Sequence, residues 1–269
     1  MTLHTKPLAA QPRFRGAIRA EWVQLWSLVS RRVIMGVAFL VIVGSGALLS
    51  AALIARLTDE RFAGQEISAT PMMFVDAVLW AQIAMVILAV LSVTGEYGSG
   101  HVRQSLLAFP TRSPWLVGKL GVVGAVGCVV GALGAAASLA LSVLILRGSE
   151  VQYTFDWAEA ASLSARSGLY LALIGILAAA VAMTIRHTVA ALSAVLALTL
   201  VVPPVLSSIP VVNIAADFLP TIAGRRLISN FDTLAGLSDW QGGAVLGAWV
   251  LAAVIAAWTL LKLRDATDN

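Results

Sequence analysis

The sequence predicts an all-α integral membrane protein: six transmembrane helices, preceded by an amphipathic helix in the membrane interface and interrupted after the second span by a polar segment with a short helix of its own. Three observations predict it. Hydrophobic residues make up 59% of the 269 residues and charged residues 12%, against about 25% charged in soluble domains. Such a chain has more apolar surface than one water-soluble core can bury. Six stretches, 33–55, 77–95, 120–146, 167–185, 188–216 and 240–261, are free of charge, and each reaches the ~17–25 residues of a spanning helix. Finally, the basic residues divide unevenly. The side holding the N-terminus, 96–119, 186–187 and the C-terminus has 12 of the 18 Lys and Arg but only 4 of the 14 acids. The positive-inside rule then places both termini and the 96–119 loop in the cytoplasm, with the protein in the plasma membrane.

Residues 1–32 read as a cytoplasmic N-terminal segment. Phe14, Ile18, Trp22, Leu25 and Val29 recur every three or four residues, which predicts a helix over 13–32 with one apolar face. Lying in the interface, it would set its tryptophans at headgroup depth. It serves either as a plain topogenic anchor or as an elbow that also touches a cytoplasmic partner. Ser30-Arg31-Arg32 is not read as a twin-arginine export signal, because a 23-residue apolar run and five further spans follow it.

Residues 33–263 form one transmembrane domain, and 264–269 a short cytoplasmic tail. The second span is expected to begin early, with Thr70 as N-cap and Pro71 at the first helical position. Asp76, near its outer start, is the one ionisable residue placed within a span, and so a candidate for gating. The third span carries Gly118, Gly121, Gly124, Gly127, Gly131 and Gly134, then Ser138 and Ser142. These steps of three or four predict a small-residue face, with Gly124, Gly127 and Gly131 as its packing centre. Its partner is another span of the same chain or a second subunit. Cys128, the single cysteine, has no partner for an intrachain disulfide and is expected to pack inside. The fifth span is expected to end near Pro203-Pro204, since proline breaks a helix.

The polar segment between the second and third spans, 24 residues from Glu96 to Lys119, exceeds an ordinary helix-helix turn. Gly98 and Gly100 can end the second span. From Gly100 to Phe109 a short helix puts Val102, Leu106 and Phe109 on one face, with His101, Arg103, Gln104 and Ser105 around it. Pro110 stops it, and Lys119 marks the start of the third span. The segment is either a solvated basic loop or a docking helix that inserts its apolar face into a partner's groove and pins it with basic residues.

On these residues the chain resembles the ABC-2 type permeases, the membrane subunits of one class of ATP-binding cassette transporters. The family pattern is an acidic residue ending the second span, a glycine, a leucine-rich turn, proline, a basic residue, and lysine opening the third span. Glu96, Tyr97, Gly100, Leu106, Leu107, Pro110, Arg112 and Lys119 follow it. His101 stands where many members have threonine, and Arg112 follows Pro110 by two residues where many have three. With the six-span layout, the resemblance covers nearly the whole chain. It implies an exporter subunit that pairs with a second copy or a paralogue and with two cytoplasmic ATPase subunits. Glu96 and Arg112 would anchor the docking loop, and Val102, Leu106 and Phe109 would fill the ATPase groove. It also implies short outer helices in 210–239, between the fifth and sixth spans.

Other chemistry is missing from the sequence. Gly118-Lys119 lacks the upstream glycine and the Ser/Thr of a phosphate-binding loop, so the chain is not expected to be an enzyme. ATP and Mg would be bound by the partner ATPase, with no cofactor on this chain. HExxH, GxSxG and CxxC are absent, and His4, His101 and His187 lack metal-ligand spacing. No basic stripe interleaved with aromatics suggests nucleic acid; the expected partners are the ATPase, a second permease and membrane lipids. The apolar spans suit a lipid-like, drug-like or peptide cargo. The competing reading is a polytopic scaffold or immunity protein that transports nothing.

Overall fold

The computed structural model describes residues 14–62, 64–99, 113–229 and 235–263. Among these, nearly all structure is helical, and six helices are long and apolar enough to cross a membrane. Helix α1 (Phe14–Ser27) is separated from α2 (Val29–Leu57) by a break at Leu28, whose backbone is extended. The first span thus begins four residues before 33, with Arg31 and Arg32 already in its first turn. A 3-10 turn (Pro71–Phe74) leads into α3 (Val78–Ser99). Thr70 has the extended backbone of a cap, but its side chain makes no capping bond.

Helix α4 (Ser113–Leu146) has 34 residues. At ~1.5 Å per residue it is about 51 Å long, well beyond a ~30 Å hydrocarbon core, which leaves room for the polar residues of its first turns. Helix α5 (Trp157–Ile185) begins ten residues before 167. The Asp156 carboxylate caps it by accepting from the Glu159 N–H at 3.0 Å. Arg166 therefore lies inside the helix and finds Asp239 at 2.9 Å. A charge inside a helix ends a charge-free stretch without ending the helix.

The fifth span runs as α6 (Thr188–Leu196), a π turn (Ala197–Val201) and α7 (Val202–Ser207), past the prolines expected to end it. Pro203 has no N–H for the carbonyl four residues back, that of Thr199. The Thr221 hydroxyl donates to that carbonyl instead, at 2.8 Å. The wide turn accommodates the proline rings, and a side chain from another helix replaces the lost bond. Two short helices follow, α8 (Asn213–Ala216) and α9 (Pro220–Arg225), before the last span, α10 (Asp239–Leu263).

Helices α3 and α5 form the interior: 67% and 61% of their most apolar windows are buried, against 22% in both the fifth and the sixth spans. Helix α4 lies along α5. A Cβ on Gly127 would meet the Leu171 carbonyl oxygen at 2.7 Å, one on Gly131 the Ser167 carbonyl oxygen at 2.6 Å, and one on Gly124 the Ile176 side chain at 2.9 Å. Gly168 returns the contact: a Cβ there would lie 2.6 Å from the Cys128 carbonyl oxygen. The rest of the glycine run does not share that face. Gly118 approaches Ala17 of α1, Gly134 approaches Ile42 of α2, and Gly121 touches nothing. Steps of three fall about 60° short of a full turn each, so the run winds around the helix. Cys128 is exposed, not packed, because the residue beside Gly127 points away from α5.

At one end of the bundle, Ser68–Ala69 and Gln152–Tyr153 pair as two short parallel strands, with Ser68 opposite Gln152. They tie the α2–α3 connection to the α4–α5 connection. Phe74 meets Tyr153 edge-on at 5.3 Å, and the Ser138 hydroxyl donates to the Phe74 carbonyl at 2.7 Å.

Candidate functional site

At the opposite end, where α3 stops and α4 starts, lies a cluster of buried charge. Lys119 sits nearly two turns into α4, and only 1% of it is exposed. An ammonium has three N–H donors and no acceptor, and all three are used. They go to the Glu21 carboxylate on α1 at 2.7 Å, the Glu96 carboxylate on α3, and the Ser92 carbonyl at 3.1 Å. The other Glu96 oxygen accepts from the Trp115 indole N–H at 3.2 Å. Trp115 stands one helical turn before Lys119, whose ammonium lies 5.8 Å from its ring. Arg31, in the first turn of α2 and also buried, donates to the Gln24 carbonyl at 3.3 Å and stands within electrostatic reach of both carboxylates. Two acids and two bases from four helices thus cancel.

Burial raises the Glu21 carboxyl above the ordinary carboxylate range; Lys119 opposes the shift and Glu96 reinforces it. Glu21 is thus held against its preference for water. Its position follows from the roll of α1. Ala17, Glu21 and Leu25, four residues apart, face the bundle and are buried. Ala17 can come close because position 118 is glycine: a Cβ there would lie 3.2 Å from the Ala17 Cβ.

The apolar stripe expected on α1 is divided by this roll. Leu25 is 2% exposed, but Ile18 and Trp22 are 45% and 44% exposed, and Val29 is more exposed still. Phe14 begins the helix. The small and acidic stripe packs inward because it satisfies Lys119. The large apolar residues, including the Trp22–Trp26 pair with rings 5.9 Å apart, face outward.

The far side of the α3 terminus is held too. The Thr188 hydroxyl donates to that of Thr94 at 2.9 Å, and the Arg186 guanidinium lies 5.3 Å from the Tyr97 ring. Arg186 ends α5 at φ 60°, the one non-glycine residue with positive φ among the described residues. Between them these contacts fix the point from which residues 100–112 depart. Gly100, His101, Val102, Arg103, Leu106, Phe109, Pro110 and Arg112 lie outside the described residues.

Asp76 stands in the turn before α3, at the strand-bearing end. Its carboxylate accepts from Arg225 of α9 at 3.2 Å, with both side chains part-exposed. Gly124, Gly127 and Gly131 belong to the α4–α5 contact and not to the charge cluster. Among the described residues, no group of three or more His, Cys, Asp or Glu could hold a metal ion.

Sequence reasoning missed Glu21, Arg31 and Trp115 as members of one site. A signal for Glu21 existed: it is the sole acid in the first 32 residues, in a segment with six basic ones, and it shares helical phase with Ala17 and Leu25. Nothing comparable marks Arg31 or Trp115. The chain matches no protein-family model and no curated protein.

Proposed function

We propose that this chain is the membrane-spanning subunit of an ATP-binding cassette transporter of the ABC-2 permease type, an exporter of a lipid-like, drug-like or peptide cargo. The observation that supports it best is the Lys119 cluster. One buried ammonium joins the N-terminal helix, the exit of the second span and the entry of the third, on either side of the segment 100–112. A push on that segment from a cytoplasmic partner would reach three elements at once. On this reading both termini are cytoplasmic and α1 is the interfacial elbow, with Ile18, Trp22 and Trp26 turned to lipid. Residues 100–110 form the docking helix, and α8 and α9 are the outer helices. The chain lies in the plasma membrane and works with a second copy or paralogue. ATP and Mg are bound and ATP is hydrolysed by the partner, since this sequence lacks a phosphate-binding loop.

The test is purification of the tagged chain from its native membrane in mild detergent, with mass spectrometry of what accompanies it. A stoichiometric ATPase bearing a phosphate-binding loop, lost when 100–110 is scrambled, is the expected result. A folded chain that emerges alone, or with integral membrane proteins only, overturns the reading.

A further inference from the structure

The fifth span is held unevenly along its length. In its inner half Ala191, Val195 and Thr199, four residues apart, are buried against the bundle. Across 201–215, Pro203 alone is buried, and Val211 is 88% exposed. Packing then resumes. Asp217, again buried, accepts from the Ala235 N–H at 2.7 Å, and the Phe218 carbonyl accepts from the Trp249 indole N–H at 2.8 Å. Helix α9 is seated more closely still: a Cβ on Gly224 would meet the Tyr170 ring at 2.7 Å and Leu246 at 2.8 Å. The stretch 202–215 is thus fixed at both ends and loose between them.

Its inner end is the π turn. In an α register the Thr199 carbonyl would accept from the N–H of residue 203, and in a π register from that of residue 204. Both are proline and have no N–H. Neither helical form can satisfy this buried carbonyl, so the Thr221 hydroxyl, at 2.8 Å, is the donor that closes the turn. Because Thr221 belongs to α9, the same bond holds the root of the loose stretch against a seated helix. An intact helix resists bending through a hydrogen bond at every residue; here one side-chain bond does the holding. A ladder broken at one point marks where a helix bends, and few buried contacts mark a segment that opens at less than the cost of global unfolding.

We propose that residues 202–215 form a hinged flap. It pivots about the π turn at 197–201 and swings away from α9, with the hydrogen bond from Thr221 to the Thr199 carbonyl as its catch. The inner half of the span and α9 stay in place. The flap does not depend on the transporter reading, since pivot, catch and seat all lie within this chain.

The experiment is pulsed electron paramagnetic resonance on the full chain in phosphatidylcholine nanodiscs, diluted with unlabelled protein so that only distances within one chain are read. The exposed Cys128 is first removed by Cys128→Ala. One spin label goes on Ala158→Cys, exposed in the first turn of α5, and the other on Val211→Cys in the flap; Val189→Cys, exposed in the inner half of the span, replaces the latter as control. The expected 158–211 distribution has a major and a minor distance. Thr221→Val should raise the minor one about tenfold relative to the major, as loss of one hydrogen bond would, and Thr221→Ser should leave both as they were. Pro203→Ala with Pro204→Ala supplies the missing donors and should narrow the distribution to one distance, with or without Thr221→Val. The 158–189 distance should be the same throughout. A 158–211 distribution shared by the parent chain and Thr221→Val overturns the flap, as does equal broadening of the control pair. If Thr221→Val does not fold, a distribution unchanged by the two proline substitutions overturns it instead.

Discussion

Ion pairs hold the helices together at both ends of this bundle, but in different surroundings. At the loop end, Lys119 is buried between Glu21 and Glu96, with Arg31 alongside. At the strand-bearing end, Asp76 meets Arg225 with side chains 40% and 33% exposed. Nearby, Arg166 and Arg226 share the Asp239 carboxylate at 2.9 and 3.6 Å. The chemistry is the same; access to water decides what each pair does. A part-exposed pair can separate at little cost because water replaces each partner, and its worth is about 0–1 kcal/mol. A buried pair adds little stability over apolar residues of the same shape, but breaking it strands a charge, at about 3–5 kcal/mol. The loop end is therefore locked, and the strand-bearing end is adjustable.

The strongest way to break this contrast is Lys119→Met, which leaves two carboxylates facing each other without their cation. Its cost should be about 3–5 kcal/mol, read as a large drop in the unfolding midpoint of the purified chain. Adding Glu21→Gln and Glu96→Gln to that variant should recover most of the loss. Full stability for Lys119→Met alone would mean that the cluster is not formed.

Smaller losses are expected where backbones meet or a carbonyl depends on one donor. Gly131→Ala puts a Cβ against the Ser167 carbonyl and should cost about 1–3 kcal/mol through forced separation of α4 and α5. Thr221→Val removes the hydroxyl that replaces the bond lost at Pro203. Leaving the buried Thr199 carbonyl unpaired should cost about 1–3 kcal/mol, and Thr221→Ser should restore the bond. Equal midpoints for Val and Ser at this position would remove that account of why the helix survives its prolines.

Asp76→Asn should cost no more than about 1 kcal/mol, shrinking with added salt. A larger, salt-insensitive effect would put the strand-bearing end in the same class as the loop end. The pH dependence tests the burial of Glu21. With the Glu21 pKa raised in the folded state, the folded protein holds that proton more tightly than the unfolded chain does. Glu21 favours folding most below the ordinary carboxylate value, and this contribution is lost as pH rises through the raised one. Between neutral and mildly acidic pH, the wild type should therefore gain stability relative to Glu21→Gln. A difference between the two that does not change with pH would refute the shift.

The spans were legible because a membrane helix declares itself by length and lack of charge, two properties of the local sequence. Their ends were less so. Asp156 starts α5 ten residues early, and Arg166 hides inside it because Asp239 comes to meet it. In the glycine run, Gly124, Gly127 and Gly131 do meet a neighbouring helix, while Gly118 and Gly134 serve two others. Spacing along one helix says which residues can share a face, but not which neighbour each will meet. The apolar stripe of α1 is divided: Leu25 turns into the bundle with Ala17 and Glu21, while Ile18 and Trp22 stay exposed. Leaving Lys119 unpaired inside would cost more than exposing them.

By itself the sequence determined six membrane-length helices, a 24-residue polar segment after the second, and the lack of a phosphate-binding loop, because hydropathy and short motifs are read over neighbouring residues. Only the tertiary structure decided that Glu21, Arg31, Glu96, Trp115 and Lys119 form one site. They lie on four helices, and a buried ammonium needs three acceptors that no single helix can supply.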